Sequence, residues 1–260
     1  MSRPAAKKEL GQHFLVDENL LSVIGRLAEL DPNDVVLEIG PGLGVLTTYL
    51  ADHVSQVQAV ELDRSLEPRL REALGRRANV TLHFGDALGL DLGGLDPLPT
   101  KLVSNLPYNV ATPLVAESLD GLPAVRRWTV MVQREVADRF FAQPSTKAYG
   151  AVSVLVQLAA ERTGFHPVSR TVFRPRPNID SALVAFRRRE LPDDFARVKR
   201  VVTAAFAHRR KQLANSLELA GVADREHAAR ALTAIGRDAS TRAEELAPTE
   251  LVELTRALEP

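Results

Sequence analysis

The chain has no cysteine, so neither a disulfide framework nor a thiolate metal site is open to it. Its six histidines, at positions 13, 53, 83, 166, 208 and 227, never approach HExxH spacing, and no metal mechanism is expected. No apolar run is long enough to cross a bilayer, and Met1 to Leu10 lack the apolar stretch of a secretory leader. The expectation is a cytoplasmic protein with no membrane partner. Internal repeats and low-complexity tracts are absent as well. Net charge is zero, with 33 Lys and Arg against 33 Asp and Glu, but the balance is uneven along the chain. Arg162 to Lys211 carries 13 basic and 4 acidic residues, which leaves 20 and 29 for the remainder. That asymmetry points to a localised basic face suited to nucleic acid.

What is present is an alternation of strand and helix signals over 260 residues, 45% of them hydrophobic and 25% charged. Apolar residues recur at helical spacing from Asp17 to Leu30, and Val35 to Ile39 is a short strand entering a glycine-rich turn. Helix over 45–53, strand over 57–60, helix over 65–74, strands over 80–84 and 101–104 and helix over 112–119 continue the pattern. A strand over 128–132 and helices over 134–141 and 149–160 follow. Alternation of this kind predicts an α/β fold with a parallel, doubly wound sheet. Phe165 to Val172 and Ser181 to Arg187 read as an antiparallel hairpin finishing that sheet. Only helical signals remain from about Leu191, so the expected domains are 1–190, carrying the sheet, and 191–260, a small all-helical domain.

Gly40, Gly42 and Gly44 stand at the carboxyl end of the first sheet strand, where a doubly wound fold opens its ligand crevice and backbone must approach a ligand closely. The G-x-G-x-G spacing departs from the dinucleotide pattern G-x-G-x-x-G and favours a nucleoside without phosphates. Glu61, 21 residues beyond Gly40 at the end of the next strand, is placed to bind ribose hydroxyls, and Asp86, after the third strand, to accept from an adenine amino group. The fourth strand delivers Asn105-Leu106-Pro107-Tyr108. An amide oxygen and a backbone carbonyl can accept from an exocyclic amine, and the Tyr108 ring offers a stacking face. Adenine N6 and cytosine N4 both satisfy that cradle.

These motifs resemble those of the S-adenosylmethionine-dependent ribosomal RNA adenine N6-dimethyltransferases, most closely the small-subunit type. Gly11-Gln12-His13-Phe14-Leu15 is similar to the family's GQNFL, Glu38 to Gly44 to its methyl-donor loop, Glu61-Leu62-Asp63 to its ribose motif and Asn105 to Asn109 to its NLPYN. Ser145 to Gly150 resembles SKAYG, Phe173 to Ala182 resembles FxPxPxVDSA, and Ala205 to Lys211 followed by Asn215-Ser216-Leu217 resembles AFxxRRK…NSL. The resemblance runs nearly end to end. It implies a Rossmann-like class I methyltransferase sheet, with S-adenosylmethionine as methyl donor and no metal. His13, Leu15, Gly40, Gly42, Gly44, Glu61, Asp86 and Asn105 would then contact the donor. His13 replaces the commoner asparagine. Asn105, Leu106, Pro107 and Tyr108 would hold the target adenine, with Phe173 on its opposite face.

The implied partner is 16S rRNA in an immature small ribosomal subunit, recognised in part by the helical domain, and the implied state is a monomer. Met1 to Lys8 forms a basic arm that would border the RNA cleft. Arg174, Arg176, Arg187, Arg188, Arg189, Arg209, Arg210 and Lys211 are candidates for gripping phosphates. Two other readings compete: a large-subunit rRNA adenine dimethyltransferase conferring antibiotic resistance, and a non-catalytic RNA-binding assembly factor.

Overall fold

Leu20, Leu21, Ile24 and Ala28 fall on one side of α1 (Glu18–Ala28), and that side is buried. Asp17 caps the helix by accepting from the Asn19 N–H at 2.9 Å, an arrangement worth about 1 kcal/mol. The computed structural model that carries these features describes residues 12–259; the basic arm Met1 to Lys8 and Gly11 of the first motif lie outside that range.

The strands are β1 (Phe14–Leu15), β2 (Val35–Ile39), β3 (Gln56–Glu61), β4 (Val80–Phe84), β5 (Lys101–Asn105), β6 (Arg127–Gln133), β7 (Ala160–Val168), β8 (Phe173–Arg174) and β9 (Ser181–Arg188). Seven of them form one sheet in the order β4-β3-β2-β5-β6-β9-β7. The pairs β3/β4, β2/β3, β2/β5 and β5/β6 are parallel, and β9 runs antiparallel to β6. The chain order reverses at β2/β5, the switch point where such sheets open a crevice at their carboxyl ends. Helices α2 (Val45–Ala51), α3 (Glu67–Leu74) and α4 (Ala111–Gly121) fill the crossovers.

The expected terminal hairpin is present with different limits. Its first arm begins at Ala160, directly after the preceding helix, and ends at Val168; residues 170–172 form a single 3₁₀ turn. The polar run Glu161-Arg162-Thr163 hides this start from a pattern reading, because β7 sits at the sheet edge, where one side faces water. Pro167 is tolerated there because an edge strand need not donate on its outer side. Phe173 and Arg174 instead pair antiparallel with Leu15 and Phe14, an additional ladder that the sequence did not signal.

The chain separates into two compact units: residues up to Ala137 with Arg162–Arg188, and Asp138–Glu161 with Arg189–Pro260. One boundary falls after Arg188, and residues 138–161 join the helical unit because of α6 (Ala151–Ala159). Val152, Val154, Leu155, Val156 and Ala159 are all buried, so the helix is apolar around most of its circumference. It packs on α7 (Phe195–Ala207) and α10 (Pro248–Ala257). Tyr149, fully buried just before it, donates to the Leu246 carbonyl at 2.8 Å and meets Phe206 edge-on at 5.8 Å. The other α-helices are α5 (Arg134–Phe140), which the unit boundary after Ala137 divides, α8 (Leu213–Leu219) and α9 (Arg225–Ala234).

Candidate functional site

The carboxyl ends of β2, β3, β4 and β5 converge on a cavity of about 270 Å³. Gly40, Gly42, Glu61, Asp86 and Asn105 to Tyr108 line it, as does His13 from the segment before β1. A smaller cavity of about 30 Å³ adjoins beneath the glycine loop and shares His13, Gly40, Gly42 and Asn105, adding Leu15 and Glu38. Gly40 has φ +76°, and a Cβ there would stand 3.3 Å from the Pro107 ring, so a side chain would wedge the glycine loop away from the Asn105 turn.

The Glu61 carboxylate is held at two points. Its Oε2 accepts from the Gly42 N–H at 3.0 Å and its Oε1 from the Asp63 N–H at 2.8 Å. Burial raises its pKa, and the bonds from Asp63 and Gly42 pull it back. Each oxygen keeps a lone pair for a hydroxyl ligand. Asp63 in turn accepts from Gln12 Nε2 at 3.0 Å, which ties the segment before β1 to the cavity rim. Asp86 is exposed where it lines the cavity, and its Oδ1 accepts from the Leu88 N–H at 3.0 Å.

Glu38 lies deeper. Burial pushes its carboxyl up to about 8, against the pull of the Thr47 hydroxyl, and the nearby Glu61 charge adds to the rise. The Thr47 hydroxyl is near enough to act on the carboxyl, yet neither Thr47 Oγ1 nor Glu38 Oε2 has a hydrogen-bond partner of good geometry among the described residues. A buried carboxyl with an orphan oxygen under a glycine cradle suits a ligand bearing a cationic, hydrogen-bond-donating group.

Asn105 Nδ2 donates to the His13 carbonyl at 3.3 Å, which turns Oδ1 away as a free acceptor. The Tyr108 hydroxyl shares a 2.6 Å hydrogen bond with Ser181 Oγ, and burial raises the phenol pKa, so the ring is a neutral, anchored platform. Ser181 is a residue that sequence reasoning missed, although its place in the DSA motif was visible. Ser181→Ala is expected to cost about 1–3 kcal/mol in a urea unfolding curve, the penalty for stranding a mostly buried hydroxyl. Unchanged stability would show that water replaces the bond freely.

Two assignments from the sequence need correction. Phe173 is fully buried in the core with Leu15, Met131 and Leu183 and lines neither cavity, because the β1/β8 ladder turns it inward. Leu15 is also core, but it borders the smaller cavity together with Glu38, so the expectation placed on it is not contradicted. Gly44 lines neither: it caps α2 with φ +81°, and a Cβ there would meet Leu70 Cδ1 at 2.9 Å, so it serves helix packing. Sequence reasoning also passed over Leu62, which is 55% exposed and lines the larger cavity directly after Glu61, giving it an apolar rim.

Several basic candidates are spent within the protein. Arg188 donates to the carbonyls of Leu119 and Leu122 at 2.7 and 2.8 Å, closing the end of α4, and stacks over Trp128 at 4.8 Å. Arg174 turns back to the Phe173 carbonyl at 2.9 Å, and Arg189 pairs with Glu161 at 2.9 Å. In the helical unit, Arg209 clamps the carbonyls of Lys147 and Tyr149. Arg176, Arg210 and Lys211 are exposed.

A parallel sheet with this strand order, an antiparallel β9 and a nucleoside-sized cavity at the switch point define a Rossmann-like methyltransferase. The fold is that of a dimethyladenosine transferase from Plasmodium falciparum, with a TM-score of 0.76 at 21% identity, covering 93% of this chain and 96% of that one. The structure of the 23S rRNA methyltransferase ErmE aligns with a TM-score of 0.66 at 29% identity over 95% of this chain and 100% of that one. The family described as ribosomal RNA adenine dimethylase matches residues 3–255, and the chain belongs to that family. Proteins named ribosomal RNA small subunit methyltransferase A are similar over nearly the whole chain. The one from Rubrobacter xylanophilus is 48% identical, covering 99% of this chain and 97% of its own length. The one from Lactiplantibacillus plantarum is 45% identical, covering 97% and 90%.

Proposed function

We propose that this protein transfers methyl groups from S-adenosylmethionine to N6 of two adjacent adenines near the 3′ end of 16S rRNA in an immature small ribosomal subunit. The observation that carries the reading is the amide of Asn105, held through Nδ2 by the His13 carbonyl and lining the same cavity as Glu61. The small-subunit names of relatives at 45–48% identity favour that substrate over the large-subunit one.

The donor supplies a methyl already activated on a sulfonium, so the protein's task is orientation. Glu61 holds the ribose, Asp86 the adenine amino group, and Leu62 covers the purine. Glu38, behind the glycine loop, fits the cationic amino-acid portion. On the substrate side, Asn105 Oδ1 accepts one N6 hydrogen. The Pro107 carbonyl already accepts from the Val110 N–H at 3.2 Å, so the Leu106 carbonyl is the better second acceptor. Two acceptors favour a pyramidal nitrogen whose lone pair leaves the ring, a stabilisation specific to the transition state. Tyr108 stacks on the base and fixes its angle. Alignment of this kind removes on the order of 7–11 kcal/mol of barrier without acid–base catalysis. The proton leaves to water, and the monomethylated nitrogen keeps a hydrogen and a lone pair for the second round.

The target base enters unstacked, as RNA-modifying sites require. Arg176 on the sheet-bearing unit and Arg210 and Lys211 on the helical unit are offered to the phosphates. The test is transfer of labelled methyl from S-adenosylmethionine to undermethylated small subunits, with the two adenines located by primer extension. Labelling of large-subunit RNA alone moves the assignment to the resistance-type enzyme. Tight binding of small subunits with no label on either RNA supports the assembly-factor reading.

A further inference from the structure

The His13 side chain reaches the proline loop. Nδ1 lies 2.8 Å from the Pro175 carbonyl oxygen. A carbonyl only accepts, so Nδ1 carries the proton, and the neutral ring is the Nδ1–H tautomer. The same residue's backbone carbonyl receives Asn105 Nδ2 at 3.3 Å, and its ring lies 5.5 Å from the Tyr108 ring at a 32° tilt. One residue therefore touches the amide that would orient N6, the aromatic platform, and the loop from Arg174 to Pro177.

We propose that His13 is a positioning residue of the base pocket, whose Nδ1–H latches the proline loop to the wall formed by Asn105 and Tyr108. The proposal rests on the methyltransferase reading above and changes the role of this side chain from donor contact to pocket latch. The donor can be tested by substitution, because an asparagine places Nδ2 two bonds beyond Cβ, nearly where His13 places Nδ1. Only the Nδ1–H tautomer reproduces the amide's donor there, and the Pro175 carbonyl selects that tautomer.

The test compares His13→Phe, which keeps a ring and loses the donor, with His13→Asn, which keeps the donor and loses the ring. Rates are read on undermethylated small subunits and S-adenosylmethionine affinity by calorimetry. His13→Phe is expected to lower kcat about tenfold, a small misplacement of reacting groups. Its S-adenosylmethionine Kd should stay within about threefold, and His13→Asn should recover most of the rate. A His13→Phe variant with weakened S-adenosylmethionine binding and unchanged kcat would return the residue to donor binding. If both variants match the wild type, the latch is refuted. Imidazole ¹⁵N spectra of the full-length protein at pH 8 give a readout independent of turnover. They should place the His13 proton on Nδ1; a dominant Nε2–H form would overturn the latch even with activity intact. Should the wild type methylate no RNA, the spectra still decide the latch while the functional reading fails separately.

Discussion

Asn105→Ala is expected to lower kcat for methyl transfer by about 10²–10³-fold, the size of effect seen when one preorganised polar contact to a transition state is removed. The reason is geometric. Asn105 is held by the His13 carbonyl with Oδ1 left over, so the acceptor is in place before the base arrives and costs nothing to organise. Alanine removes that acceptor and leaves the cavity walls Leu106, Pro107 and Tyr108 standing. Affinity for small subunits, dominated by phosphate contacts elsewhere, should stay within a few-fold in a filter-binding assay. Turnover retained within threefold would mean that N6 needs no side-chain acceptor, and the mechanism would fall.

Glu38→Gln should reshape the pH dependence of stability. The folded protein keeps the Glu38 proton up to about 8, whereas the unfolded chain releases it near the ordinary glutamate value of 4.5. Between those values the folded state binds more protons, so wild-type stability falls as pH rises through the window. Spread over the interval, the loss is on the order of 5 kcal/mol, an upper figure for a fully buried group. Glutamine has no proton to lose, so the variant should gain on the wild type steadily from pH 5 to pH 8.5. Thermal unfolding of both proteins without ligand at the two pH values measures the gap. Parallel curves would mean that Glu38 ionises freely, through a water or an opening of the glycine loop.

The strand ends were legible because sheet-end glycines, carboxylates and the Asn105 turn each obey a local rule about backbone approach or hydrogen bonding. That is why Gly40, Gly42, Glu61, Asp86 and Asn105 to Tyr108 all appear on one cavity. Phe173 was misplaced for a different reason. Its inward turn depends on pairing with Leu15, 158 positions earlier in the chain, and no spacing rule reaches that far. Ser181 and Gln12 escaped for the same reason, since their partners Tyr108 and Asp63 lie across the fold. The arginines of 174–189 illustrate a further limit. Composition counts charges but cannot see that Arg188 is consumed in closing α4.

The path of the chain between its two compact units bears on how such a protein can be cut and recombined. The boundary is crossed after Ala137, after Glu161 and after Arg188, so the helical unit is assembled from two separate stretches. A fragment ending at residue 190 would carry α6 without α7 and α10, leaving Val152, Val154, Leu155 and Val156 without the helices that shield them. Swapping the helical unit between relatives thus requires exchanging 138–161 together with the tail. Insertions and fusions that treat the last seventy residues as a detachable cassette would inherit half of a core.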